Sequence, residues 1–345
     1  MRLVIFFLCL VLVTMPASAL EIQAPPAPAS VERWMPNDTS SFPEGLLEMI
    51  EKSLDSVYPE LRAAACVCLG IVATVLLISI LEAISGGTKL AVQISGSAAV
   101  SMLLMQNTHS MIRMASSLVQ EIIEYGRLLL PVMTTALAAQ GGISKSAAIY
   151  AGSAFFISVL NSTLNTVLLP GVYLYLLLHI GNSTTGEDFL KRTGEILKGF
   201  LKWSLKSIII LFTTYLGVTG VISGATDAAA LKVTKVTIAS VVPVVGSALA
   251  NASEAVLVSA GLLKTAAGVY GIFAVLAIFL NPFLKIGVYY LTLKLTAAVC
   301  TVFGEGKIIG LIQAFCSALG FILAMTATAC VMVLVSTYCF MKGVG

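Results

Sequence analysis

The sequence predicts an all-α protein that crosses a membrane several times. Three observations carry this: 58% of its 345 residues are hydrophobic, only 11% are charged, and the mean hydropathy is +0.98. The charges are also unevenly placed. Residues 20–62 hold eight acidic and three basic side chains, whereas residues 63–345 hold nine acidic and sixteen basic. An acidic segment is therefore joined to a mildly basic membrane body, and nucleic acid is not an expected partner.

At the N-terminus, Met1 and Arg2 give a positive start, residues 3–13 are apolar, and Ala17-Ser18-Ala19 follows Pro16 as a small-x-small cleavage site. This pattern predicts a signal peptide over 1–19, cut after Ala19, with the chain from Leu20 starting outside the cytoplasm. The apolar run is too short to span the bilayer, which needs roughly 20 residues.

Residues 20–62 read as an exported acidic tail. Six of the chain's eleven prolines fall here (Pro25, Pro26, Pro28, Pro36, Pro43, Pro59). The alanine- and proline-rich beginning predicts a disordered linker. From Pro43, the residues Leu46, Leu47, Ile50 and Leu54, with Glu44, Glu48, Glu51 and Lys52 between them, predict an amphipathic helix on the membrane surface or against a partner.

The membrane domain is 63–345. Its apolar runs lie at 63–84, 90–105, 128–139, 147–160, 164–180, 203–222, 241–250, 266–280, 283–303 and 308–340. They predict about six to eight transmembrane segments, and the short pieces at 128 and 241 are expected to be re-entrant or interfacial. Lys191, Arg192, Lys198, Lys202 and Lys206 form the densest basic cluster. The positive-inside rule puts it in the cytoplasm, opposite the exported tail. Cys66, Cys68, Cys300, Cys316, Cys330 and Cys339 all sit in apolar runs, so neither disulfides nor metal sites are expected.

Only four prolines follow Arg62: Pro131, Pro170, Pro243 and Pro282. Both pairings, 131 with 243 and 170 with 282, are steps of 112. At that offset P-V-M-T-T-A-L-A from Pro131 lies over P-V-V-G-S-A-L-A from Pro243. An internal duplication is predicted, with repeats 90–187 and 202–299, parallel or inverted. A proline frees a backbone carbonyl, which in lipid must find a partner or water. Polar and small residues gather beside these prolines: Thr134, Thr135, Gln140, Gly141 and Gly142 in the first copy, Gly246, Ser247, Asn251 and Ser253 in the second. They read either as packing glue or as the lining of a pathway. Glu82, Asp227, Glu254, Lys264, Lys285 and Lys294 are the ionisable residues inside apolar runs.

No catalytic set emerges. Gly304-Glu305-Gly306-Lys307-Ile308 lacks the spacing and hydroxyl of a phosphate-binding loop, and neither H-E-x-x-H nor a G-x-S-x-G serine with a histidine occurs. The chain is not expected to be an enzyme, and no cofactor is expected.

The A-L-K-V-T-K stretch at 230–235, followed by V-P-V-V-G at 242–246 and taken with P-V-M-T-T-A-L-A at 131–138, resembles the stage III sporulation protein AE family. Where that family continues with a further glycine and an aspartate, this chain has Ser247, Asn251 and Glu254. The resemblance implies a multi-pass protein of the mother-cell membrane around the forespore. There it would be a non-enzymatic component of a trans-envelope, secretion-like channel, together with other membrane proteins, ring-forming proteins and a separate ATPase. The alternative is a self-sufficient permease for a small solute, built on the paired broken helices.

Overall fold

A computed structural model describes residues 24–37, 42–139, 143–218, 266–302 and 306–342. Among these residues every regular element is helical. The long helices are α1 (Phe42–Ile84), α2 (Lys89–Ala139), α3 (Ile143–Thr163), α4 (Leu169–Thr185), α5 (Asp188–Val218), α6 (Ala266–Cys300) and α7 (Gly306–Lys342). A five-residue π-turn, Leu164–Leu168, joins α3 to α4. Short 3₁₀ turns cover Glu32–Trp34 and Gly86–Thr88.

Four described stretches are long and apolar enough to cross a membrane: Phe42–Ile84, Ser146–Thr185, Ala267–Cys300 and Gly306–Lys342. The protein is thus a helical membrane protein. In the most apolar window α7 is 83% buried and α1 only 28%. That contrast places α7 at the centre of the bundle and α1 on its lipid-facing rim.

Several runs that the sequence separates are single elements. Residues 90–105 and 128–139 both belong to α2, so 128–139 is a helix end and not a re-entrant piece. The reason is periodicity. Val100, Leu104, Ile112, Ala115, Leu118, Ile122, Leu129, Met133 and Leu137 are buried at three- and four-residue steps, while Arg113, Glu124 and Arg127 turn outward. The charges interrupt the hydrophobic run without interrupting the stripe. Likewise, 147–160 and 164–180 join through the π-turn, and 266–280 joins 283–300 through Pro282 inside α6.

Contacts fix the helix directions. Ser56 donates to Asn281 Oδ1 at 2.9 Å and Lys285 Nζ meets Glu60 at 2.8 Å, so α1 and α6 run parallel. Gly268 lies against Met341 and Gly320 near Tyr290, so α7 runs back along α6. Ser97 donates to the Ser183 carbonyl at 3.1 Å and His109 meets Tyr173 at 2.8 Å, which sets α2 antiparallel to α4. Gly186 closes α4 in the left-handed region at φ 77°, its N–H bonded to Asn182 O at 2.8 Å, and α5 returns along α4.

The 43 residues of α1 reach about 65 Å, roughly twice the hydrocarbon thickness of a bilayer. Half of such a helix must protrude, and the exposed side chains show which half. Leu69, Leu76, Leu77, Ile80, Leu81 and Ile84 of α1, Leu90, Ile94, Met102 and Leu103 of α2, Leu174 and Leu177 of α4, and Leu291, Leu295 and Val299 of α6 are all exposed. They form one apolar band around one end of the bundle. On the same helices Arg62, the Glu60–Lys285 pair and Arg113 lie at a common level beyond it, while within it Lys294 is exposed beside Leu295 and Glu82 is buried. In the protruding half, residues 272–279 of α6 are buried, covered by surrounding helices.

Residues 24–37 lie on this protruding half, where composition predicts a disordered linker. Tyr125 donates to the Pro25 carbonyl and the Ala27 N–H donates to Tyr270 Oη, both at 3.1 Å. Ser30 bonds Glu121, and Lys52 Nζ donates to Met35 O at 3.0 Å. The extended, proline-rich backbone thus uses its carbonyls and N–H groups as partners for buried or half-buried side chains. Burial also pushes the Tyr125 hydroxyl well above its ordinary range, which keeps it a donor.

Candidate functional site

The sequence of α5 writes three faces onto one helix. Leu201, Leu205, Ile208 and Phe212 are buried at three- and four-residue spacing against the bundle. Lys191, Lys198, Lys202 and Lys206 follow at intervals of seven, four and four, with Arg192 beside them. This basic face extends about 22 Å along the axis. Phe189, Ile196, Phe200 and Trp203 form an exposed apolar third face.

Close packing sets this basic face at membrane depth. A Cβ at Gly181 would meet Leu190, one at Gly171 would meet Leu201, and one at Gly194 would meet the His179 ring. Lys198 therefore stands level with the part of α4 that exposes Leu174 and Leu177 to lipid, and Lys202 one turn beyond it, near Pro170. A lysine facing hydrocarbon at the middle of a span costs about 2.5–3.5 kcal/mol. Several such costs would add, so this face is solvated or matched by anions, not coated by acyl chains.

At its foot lies a polar chain that ties α4 to α5. His179 of α4 is buried, its Nδ1 is 3.0 Å from the Tyr175 carbonyl, and its ring centroid is 4.3 Å from that of Tyr175. A carbonyl only accepts, so Nδ1 carries the proton and Nε2 points towards Glu195 Oε1 at 4.0 Å. Glu195 pairs with Lys198 at 3.3 Å, and the Tyr175 ring packs edge-on against Phe321 of α7 with centroids 6.1 Å apart. The order Tyr175, His179, Glu195, Lys198 runs from α4 to the charged face. Among the described residues no three histidine, cysteine or carboxylate side chains gather as a metal set.

A second polar feature borders the π-turn. Ser116 and Gln120 of α2, Asn161 of α3 and Asn165 of the turn line a crevice floored by Ile322 and Met325 of α7. Asn165 Nδ2 donates to both the carbonyl and the side-chain oxygen of Asn161 at 3.0 Å, satisfying acceptors at the place where the helix widens.

Of the residues singled out in the sequence, those described are not brought together into one site. Pro131 is exposed on α2, Thr134 donates to Leu130 O at 2.7 Å, and Thr135 donates to Val132 O at 2.8 Å. These hydroxyls are satisfied within their own helix. Pro170 opens α4 behind the π-turn, whereas Pro282 sits inside α6. Ala19, Gln140, Gly141, Gly142, Asp227, Pro243, Gly246, Ser247, Asn251, Glu254 and Lys264 lie outside the described residues. Lys285 pairs with Glu60, Lys294 lies 5.8 Å from the Tyr290 ring centroid, and Glu82 is buried. The sequence reading missed the His179–Glu195 approach. The only signal was weak: Glu195 falls between Lys191 and Lys198 on the basic face.

The family model for stage III sporulation protein AE matches residues 38–342. The chain belongs to this family. Stage III sporulation protein AE of Bacillus subtilis (strain 168) is 22% identical over 234 residues, which is 68% of this chain and 59% of that relative. The match thus spans less than two thirds of the relative's length. No solved structure matches the chain. The conserved name of the family ties it to sporulation, while the α5 face and the His179 chain are features of this fold itself.

Proposed function

We propose that the protein is a non-enzymatic component of a multi-protein channel that joins mother cell and forespore. It would sit in the mother-cell membrane, with the protruding half of the bundle directed away from the cytoplasm. The observation that carries this reading is family membership across residues 38–342, together with a helix bundle only half of which carries a lipid-facing band. The protruding half supports it physically, because a charged, well-packed body outside the bilayer offers a surface for ring-forming proteins. Energy would come from a separate ATPase, consistent with the broken phosphate-loop pattern at 304–308. The N-terminal signal peptide would put residues 24–62 on the same outer side as the body.

Purification from sporulating cells under mild detergent tests this. A tagged chain is expected to carry other membrane and ring-forming proteins with it, and its deletion to arrest forespore development. Recovery of the chain alone at every stage, with full transport of a small solute by the lone protein in liposomes, would instead establish the permease reading.

A further inference from the structure

We propose that the basic face of α5 walls a water-filled path at bilayer depth, and that this path takes small anionic solutes. The inference deepens the channel reading and rests on it. Five cations, Lys191, Arg192, Lys198, Lys202 and Lys206, share one helix with two carboxylates, Asp188 in its first turn and Glu195, which is already paired with Lys198. Arg192, Lys202 and Lys206 are exposed, and no described helix packs over them. They flank Lys198, which stands level with Leu174 and Leu177 of the lipid-facing band on α4. Cations in a row beside the low-dielectric flank of α4 raise the local concentration of anions and repel other cations. The His179–Glu195 approach at the foot of the row places Glu195 where the face meets α4.

The face is wet or it is not, and thiol accessibility distinguishes the two. The full-length protein, with Cys66→Ser to remove the exposed native thiol among the described residues, is reconstituted in liposomes carrying Lys198→Cys, Lys202→Cys, Leu174→Cys or Leu177→Cys. Charged, membrane-impermeant methanethiosulfonate reagents are expected to modify both lysine positions and neither leucine position. The anionic reagent should react about tenfold faster than the cationic one at Lys202→Cys, because Lys198 and Lys206 remain. Lys206→Cys serves if either lysine variant fails to fold. Protection of the lysine positions to the level of Leu177→Cys overturns the proposal, as does equal or faster reaction with the cationic reagent. The channel-complex reading fails by a different result, the absence of partners on purification.

Discussion

His179 shows how tightly single positions are set in this bundle. A Cβ at Gly194 would strike its ring, so Gly194→Ala must push the imidazole off the Tyr175 carbonyl. The expected loss is about 1–3 kcal/mol, read as a lower Tm in detergent. Gly199→Ala, one turn further along the same helix, meets nothing within 4 Å and should be neutral or stabilising. The α1–α6 seam gives a second residue-scale test. Asn281 is 8% exposed and accepts from Ser56. A double-mutant cycle of Ser56→Ala with Asn281→Ala is expected to give a coupling of about 1 kcal/mol. The neighbouring Glu60–Lys285 pair is partly solvated and should contribute no more than about 1 kcal/mol. An equal or larger coupling for the ion pair would reverse this ranking.

At the level of elements, the π-turn is the decisive joint. Deleting one residue from Leu164–Leu168 restores α-helical spacing and rotates α4 by about 100° relative to α3. Tyr175 and His179 would then leave their partners Phe321 and Glu195. The expected result is loss of the Tm contribution of Gly194 described above, so that Gly194→Ala no longer destabilises the deletion variant. Such a joint was not legible in the sequence, because 147–160 and 164–180 look like two separate apolar runs. All-helical membrane architecture was legible, since composition alone demands it. The long α2 was not, because hydropathy averages over faces: Arg113, Glu121 and Arg127 lower the mean while the buried stripe continues beneath them. Residues 24–37 were misread for a related reason. Composition counts apolar area, whereas this segment is held by hydrogen bonds to Tyr125 and Tyr270, a hundred or more residues away in sequence. The basic cluster was legible in the sequence, which expected it in the cytoplasm; its alignment along α4 was not, because that depends on Gly171, Gly181 and Gly194 meeting residues of the adjacent helix.

For the whole molecule, the claim is that lipid covers one half of the bundle and water the other. A charge placed in each half should therefore behave differently. Leu77→Lys, in the apolar band of α1, is expected to cost about 2.5–3.5 kcal/mol and to lower the amount of protein recovered in membranes. Leu54→Lys, on the same helix but beside Glu51 and Asp55, should be recovered at the native level. The chain's two tryptophans supply the most direct measurement, one in each half: Trp203 is exposed on α5 at the upper part of the band, and Trp34 lies in the packed N-terminal segment beside Arg33. In liposomes made with lipids brominated on their acyl chains, with Trp34→Phe and Trp203→Phe to assign the signals, Trp203 emission is expected to be quenched and Trp34 emission to be untouched. Quenching of Trp34, or a Trp203 that the bromines do not reach, would contradict the division of the bundle on which the account rests.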